Sequence, residues 1–135
     1  SRNIMAENVL APGEILTGVD LPNTTSNQRS IYLKVRERQT EDFALASVAL
    51  VLEMDLGQTI LDARLTLGGI APVPFRAYHA EDALRGCSID QVCSKSVGAL
   101  ALQGAKPMRD NGFKVEIASS LVHRAIETLL SQGGA

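Results

Sequence analysis

Hydrophobic and polar residues alternate along three stretches of the chain, and this spacing predicts a small β-sheet. Residues 31–36 alternate apolar with polar side chains, as a strand with one buried face does. Residues 43–54 are almost continuously apolar, and their β-branched second half favours a buried strand from about residue 47. Residues 59–67 alternate again after the turn residues 55–58. Because the connection is short, we predict antiparallel pairing of these strands.

A helical pattern replaces the strand pattern in the second half of the chain. Residues 75–85 are rich in helix formers and stop before Gly86. Residues 88–91 form a capping-box sequence that opens an Ala-rich helix ending near Gly104, and a third helix begins near Phe113. Strands followed by helices predict an α+β fold, in which a three-stranded antiparallel sheet packs against a small helix bundle.

The chain is predicted to consist of a leading segment and one domain. Residues 1–28 are an irregular approach segment, rich in Pro, Gly and Asn, in which residues 14–21 alternate enough for a short strand. Pro22 ends that strand or places it on a sheet edge. Residues 29–135 then form a single α+β domain.

Composition and charge narrow the class of protein. With 135 residues, 45% of them hydrophobic, the chain can bury a core without a metal or a disulfide. A net charge of -2 and the small number of aromatic residues, two Tyr and three Phe, argue against a nucleic-acid surface, which needs a basic stripe and aromatic platforms. We find no apolar run of about 20 residues and no leader sequence. We expect a cytoplasmic location, with the periplasm as the alternative because an export signal could lie outside this chain.

The search for catalytic and metal-binding residues gives no strong candidate. Cys87 and Cys93 lack a C-x-x-C spacing, so we interpret them as ordinary thiols ahead of a disulfide or a metal pair. His79 is favoured as a surface histidine over a general base beside Glu81, and His123 has no partner in the sequence. No catalytic residue and no metal site are predicted.

Two other features have a structural and a functional interpretation. The pair Gly68-Gly69 follows a predicted strand, and a strand-end bend is favoured over a close approach to a phosphate. Residues 34–42 are the most charged stretch of the chain. A solvated edge with weak ion pairs is favoured there over a strand cation that faces an anionic ligand such as a dinucleotide pyrophosphate.

The order of several short sequences carries a resemblance to a known family. These sequences are, in chain order, APGEILTGVDLP, YLKVRER, ALASVALVLE, ILDARLTLGGIAPVPFRA and DNGFKVEIA. The chain resembles, from about residue 10 to residue 130, the C-terminal domain of the FAD-binding (medium) subunit of the xanthine dehydrogenase/aldehyde oxidoreductase molybdenum hydroxylases. The same domain occurs in the carbon monoxide dehydrogenase flavoprotein.

The resemblance implies a part in electron transfer. In that family a large subunit carries the molybdenum cofactor, a small subunit carries [2Fe-2S] clusters, and electrons leave through FAD in the medium subunit. Two flavin contacts carry over by position: Leu16 as an apolar edge, and Lys34 as a cation that stabilises the reduced, anionic flavin. The family's glycine-rich FAD-binding region has no counterpart in this chain. We therefore expect a fragment or a separately encoded piece that does not retain FAD alone.

Three hypotheses follow from the sequence. The first is a C-terminal domain of an FAD-binding subunit that helps to position FAD and to assemble the subunits, without catalysing a reaction alone. The second is a stand-alone interaction or assembly domain without flavin chemistry, and the third is a small enzyme that uses His79 with Glu81. Both faces of residues 47–54 are apolar, so we expect an exposed apolar face, or a groove lined by the helices, that the rest of the subunit or a partner subunit covers.

Overall fold

A four-stranded antiparallel sheet forms one layer of the protein in a computed structural model that describes residues 8–38 and 42–131. The strands lie in chain order across the sheet: β1 (Gln28–Val35), β2 (Ala46–Met54), β3 (Ile60–Gly68) and β4 (Phe75–Arg76). The predicted α+β class and antiparallel pairing are confirmed. The predicted number of three strands is wrong, because the chain bends back after β3 and adds the two-residue β4 beside Thr66 and Leu67.

The second layer consists of helices that cover one face of the sheet. They are α1 (Tyr78–Leu84), α2 (Ser94–Ala101) and α3 (Phe113–Ser131), and a 3₁₀ turn at Ile89–Gln91 precedes α2. The inner face of β2 presents Leu50 and Leu52, and α3 presents Val122 and Ile126, all completely buried. The 3.6-residue period of α3 and the two-residue period of the strands therefore meet in one core. No helix among the described residues is long and apolar enough to span a membrane.

Two predicted helix starts differ from the structure. The first helix begins at Tyr78 rather than residue 75 because Phe75 and Arg76 pair with β3. The predicted capping box is wrong: the side chain of Ser88 forms no cap, and α2 begins only at Ser94. Ser88 instead forms an isolated bridge with Thr59, so the chain there is held beside the start of β3.

The approach segment also differs from the prediction. Residues 14–21 form no strand, and their apolar side chains are exposed, including Ile15 and Val19. An isolated strand gains no backbone hydrogen bonds without a neighbouring edge, and no described strand pairs with this segment. The division into residues 1–28 and 29–135 stays a prediction, and residues 1–7 lie outside the described residues.

Charged side chains close the edge of β3 that the short β4 leaves uncovered. Glu81 Oε1 accepts hydrogen bonds from the Leu65 backbone N–H at 2.9 Å and from Arg76 Nε at 2.8 Å. Arg85 Nη2 donates to the Ala63 carbonyl at 3.2 Å. Burial alone would raise the pKa of Glu81, but the bonds from Arg76 and Leu65 together with Arg85 outweigh it and lower that pKa. Helix α1 thus supplies partners that a longer fourth strand would supply.

Helices α2 and α3 lie close together at a glycine. A Cβ on Gly98 would lie 2.8 Å from the Ser119 carbonyl oxygen and 3.0 Å from the Ser119 hydroxyl. Both distances are below ordinary van der Waals contact. The absence of a side chain at Gly98 therefore sets the spacing of the helix layer.

Candidate functional site

The outer face of the sheet, which none of the described helices covers, holds Lys34, one of the two site residues that the sequence selected. We call it the open face and define it by alternate residues of β1–β3 that point away from the core. These residues are Gln28, Ser30, Tyr32, Lys34, Ser47, Ala49, Val51, Glu53, Asp62, Arg64, Thr66 and Gly68. Tyr32 is 62% exposed, whereas Leu50 on the inner face is fully buried. The open face is a surface of small and polar side chains with one exposed aromatic ring.

Lys34 lies at one end of this face, in the phase that the alternation predicted. It pairs across the sheet with Ser47, which pairs in turn with Gly68. The Lys34 side chain is exposed, and in the described part of the chain no residue forms a hydrogen bond or an ion pair with its Nζ. An ammonium group without an anionic partner in the described ranges therefore stands on this face, beside a short serine side chain.

Close packing explains the glycine pair Gly68-Gly69 at the end of β3. A Cβ on Gly68 would lie 2.5 Å from the Ser47 hydroxyl oxygen. Gly69 has a φ of +74°, and a Cβ there would lie 2.8 Å from the Ala44 carbonyl oxygen. The structure confirms the strand-end interpretation of this pair, because both glycines let the chain around residues 44–47 approach β3.

Leu16, the other predicted flavin contact, has a different setting. Its side chain is 69% exposed, and it belongs to no helix or strand. The sheet holds Lys34 at a defined register, whereas no regular element positions Leu16. Pairing of the two residues around one ligand stays a prediction.

The remaining sequence candidates lie away from the open face. The proposed pair of His79 and Glu81 is wrong, because both Glu81 oxygens accept hydrogen bonds from arginines at the edge of β3. Cys87 and Cys93 are free thiols. A hydrogen bond from the Ser96 hydroxyl to Cys93 Sγ, 3.1 Å long, lowers the pKa of the Cys93 thiol.

The charged stretch 34–42 forms a weak surface pair in its described part. Arg38 Nε lies 3.7 Å from Asp42 Oδ2, and 78% of the Arg38 side chain is exposed. This agrees with the interpretation as a solvated edge, in which an ion pair contributes about 0–1 kcal/mol. Glu41 of the same stretch lies outside the described residues.

A hydrogen-bonded cluster between α2 and α3 was not found by sequence reasoning. The buried Ser94 hydroxyl donates to the Glu127 carboxylate and lies 2.7 Å from His123 Nδ1. The serine proton is directed to the glutamate and not to the histidine, so this is not the arrangement that activates a serine nucleophile. The cluster joins the two helices. Its partners are about thirty residues apart, and no local motif signals them.

Comparison with known proteins identifies the family. A family model described as the CO dehydrogenase flavoprotein C-terminal domain matches residues 31–129. The chain belongs to this family. That assignment confirms the resemblance drawn from the ordered sequences, and the matched residues run from within β1 to within the last turn of α3.

Curated relatives of this flavoprotein domain cover most of the chain. It is 31% identical over 129 residues to the aldehyde oxidoreductase FAD-binding subunit PaoB of Escherichia coli, covering 96% of this chain and 36% of that protein. It is 31% identical to the glyceraldehyde dehydrogenase medium chain of Sulfolobus acidocaldarius, covering 85% of this chain and 41% of that protein. The chain thus spans well under half the length of these relatives.

Solved structures share the fold. A carbon monoxide dehydrogenase from Hydrogenophaga pseudoflava, described as lacking the Mo-pyranopterin moiety of the molybdenum cofactor, superposes with a TM-score of 0.73 at 26% identity, covering 83% of this chain and 40% of that one. The Cu,Mo-CO dehydrogenase in its cyanide-inactivated form gives a TM-score of 0.71 at 26% identity, covering 84% of this chain and 40% of that one.

Proposed function

We propose that this chain is the C-terminal domain of an FAD-binding subunit in a molybdenum-containing oxidoreductase of the xanthine/aldehyde dehydrogenase type. In this proposal the domain helps to position FAD and to assemble the subunits, and it does not catalyse a reaction alone. The family match and the FAD-binding subunit among the relatives support it. The chain also covers only 36% and 41% of these two relatives, as a single domain of a longer subunit would.

One observation connects the proposal with a named residue. Lys34 has a defined position in β1, and its exposed ammonium group has no partner in the described part of the chain. Ala49, on the neighbouring strand and the same face as Lys34, is small and exposed, so a planar ring can lie against the sheet there. A positive charge next to a flavin favours the reduced, anionic form. Leu16 is proposed as an apolar contact from the approach segment.

These residues fit one edge of a flavin and not the whole cofactor. The open face offers a cation and a flat surface, but the chain has no glycine-rich loop that would bind a pyrophosphate. FAD, when bound, supplies the electron-transfer chemistry. The rest of the FAD subunit is proposed to hold most of the cofactor, with the molybdenum cofactor in a large partner subunit and [2Fe-2S] clusters in a small one. The cytoplasm is proposed as the compartment, with the periplasm as the alternative.

The test compares Lys34 variants in the complete FAD-binding subunit, purified with its partner subunits. We expect Lys34→Ala to lower the flavin content or the rate of flavin reduction by substrate, and Lys34→Arg to preserve more of both. Lys95→Ala, which removes an exposed lysine of α2, is the matched control. Thermal stability should change by no more than about 0.5 kcal/mol in all three variants. Unchanged flavin content and reduction rate in Lys34→Ala would show that Lys34 is an ordinary solvated surface residue.

A second test uses the 135-residue chain alone. The buried core predicts that it folds, and the lack of a pyrophosphate loop predicts that it does not keep FAD. The chain is incubated with FAD, passed through a desalting column and measured for flavin absorbance. Flavin retained in near-stoichiometric amount would contradict the prediction and place more of the cofactor site in this domain.

The alternative function, an assembly domain without flavin chemistry, has one observation in its favour. Large apolar side chains of the approach segment are exposed, among them Ile15 at 81% and Leu21 at 83%. Exposed apolar groups in such density indicate a partner surface. This alternative predicts that Lys34→Ala leaves the flavin unchanged while Ile15→Ser weakens assembly of the complex.

A further inference from the structure

A cavity between the β3–β4 bend, the end of α2 and the start of α3 lies apart from the open face. Its volume is about 300 Å³, the lower end of the range for small-molecule sites, ~300–1,000 Å³. We call it the α2–α3 cavity. Its apolar walls are Ile70, Phe75, Ala101, Leu102, Pro107 and Val115. A second groove, of about 450 Å³, adjoins it through the shared residues Phe75, Ala101 and Gln103.

The charges around the cavity all have one sign. Lys106 and Lys114 line the cavity, whereas Arg76, which lines the adjoining groove, is paired with Glu81 and adds no free charge. No aspartate or glutamate is among the described residues that line either one. The whole chain, in contrast, has fifteen acidic and thirteen basic residues. The cavity is therefore a local departure from the charge balance of the protein.

The two lysines keep their charge available. Lys114 Nζ donates one hydrogen bond to the Gly69 carbonyl at 3.0 Å, which holds the ammonium in place without neutralising it and leaves two N–H groups. Lys106 forms no hydrogen bond or ion pair with any residue of the described ranges. An apolar wall beside unneutralised ammonium groups matches a ligand with an apolar body and one negative charge.

We propose that the α2–α3 cavity binds a small organic anion, an aromatic or branched aliphatic carboxylate. The apolar body lies against Ile70, Phe75 and Val115, and the carboxylate faces Lys106 and Lys114. This site is independent of the flavin contact at Lys34, since its lining shares no residue with the open face.

The test uses a matched pair of probes, 2-naphthoate and the neutral 2-naphthamide, titrated into the ¹⁵N-labelled 135-residue chain by NMR. We expect naphthoate to shift the amide signals of Ile70, Ala101 and Val115 and to bind about fivefold more tightly than naphthamide, the factor for one exposed ion pair of about 1 kcal/mol. Equal affinity for both probes, or shifts centred on residues 9–21, would overturn the proposal.

Two variants and a control separate the charge from the cavity. Lys106→Gln should reduce the preference for naphthoate over naphthamide, and Ala105→Leu should weaken both probes by filling the cavity from its rim. Lys95→Gln, on the exposed part of α2 outside the lining, should change neither affinity. The spectrum without ligand shows whether each variant is folded. Failure of Ala105→Leu to weaken binding, or loss of naphthoate binding when partner subunits are added, would also contradict a small-molecule site.

Discussion

The two faces of the sheet use the same strands in different ways. On the inner face, Leu50, Leu52 and Leu65 lose all contact with solvent under the helices. On the open face, Ala49 is exposed and Val51 is only half-buried, although both belong to the same apolar run in β2. The helix layer covers the inner face. The open face can stay in contact with water because its side chains are small or polar.

This comparison corrects the expected apolar face on β2. Ser47 and Glu53 interrupt the open face of that strand, and the cross-strand neighbours are polar or small. A run of strongly exposed apolar side chains lies instead in residues 9–21, whereas Phe43, Leu56 and Met108 are exposed singly. A partner surface is therefore better sought at the approach segment than on the sheet itself.

The largest expected difference between the faces comes from truncating neighbouring residues of β2. Leu50→Ala should lower the free energy of unfolding by about 2–5 kcal/mol, because it leaves a cavity in the core. Val51→Ala should cost about 1 kcal/mol or less, since its side chain is already partly in water. Urea denaturation of both variants measures the contrast. Similar losses would mean that the open face is as tightly packed as the inner one.

A smaller effect is expected within the helix layer that covers the inner face. Gly98→Ala should cost about 1–2 kcal/mol, because the steric cost of a methyl group against Ser119 exceeds the gain in helix propensity. Gly112→Ala is the matched control: a Cβ there meets no atom within 4 Å. We expect its unfolding free energy to stay within about 0.5 kcal/mol of the parent chain. A Gly98→Ala variant as stable as the parent would show that the helices can separate freely.

The edge of the sheet gives the next effect. Glu81→Gln should lower the free energy of unfolding by about 1–2 kcal/mol, because the amide retains the bond from Leu65 but loses the charge that pairs with Arg76 and Arg85. Asp82→Asn, at a carboxylate whose side chain is 69% exposed, is the control and should cost less than about 0.5 kcal/mol. Equal losses of unfolding free energy in the two variants would show that the buried Glu81 carboxylate stabilises the fold no more than the exposed Asp82 does.

The same carboxylate predicts a dependence of stability on pH. The pKa of Glu81 lies below its ordinary value of 4.5, and hydrogen bonding to Arg85 first of all lowers the pKa of Asp62 below 3.8. Groups with a lowered pKa in the folded state stabilise it fully above the ordinary pKa and lose that contribution as the pH falls. We expect stability to decrease below about pH 4.5, and to decrease less steeply in Glu81→Gln. Parallel pH profiles for variant and parent would contradict this.

The smallest effect should come from the approach segment. Ile15→Ser should leave the stability of the isolated chain within about 0.5 kcal/mol, because the side chain touches no core. In the complete FAD-binding subunit the same change should weaken assembly. The pair of measurements, thermal unfolding alone and complex formation by gel filtration, contrasts this segment with the buried face. A clear loss of stability in the isolated chain would show that the segment packs against the domain.

Much of the fold was predictable because the relevant signals are local. The alternation of residues 31–36 placed Lys34 on the outer side of β1, and the structure has it there. The hydrophobic period of α3 and the glycine after α1 are local signals as well. That glycine, Gly86, has a φ of +80°, which is typical of the residue that ends a helix. The short sequences indicated the family through their order along the chain, because that order can be read from the sequence alone.

The features that sequence reasoning missed depend on neighbours far along the chain. The start of β4 follows from pairing with β3, and the role of Glu81 follows from an uncovered strand edge 16 residues before it. The capping-box sequence at Ser88 failed because a bridge to Thr59 competes for that stretch of backbone. The cluster of Ser94, His123 and Glu127 exists only because α2 packs on α3.

The sequence by itself determined the positions of β1, β2 and β3, which face of β1 and of β3 is apolar, and the family of the chain. The tertiary structure alone decided which face of β2 the helices cover, which arginines pair with Glu81, and where a cavity opens. The reason is physical: periodicity sets the direction of a side chain relative to its own backbone. Burial, ion pairing and cavities depend on what other elements bring to the same place, and that is decided by packing.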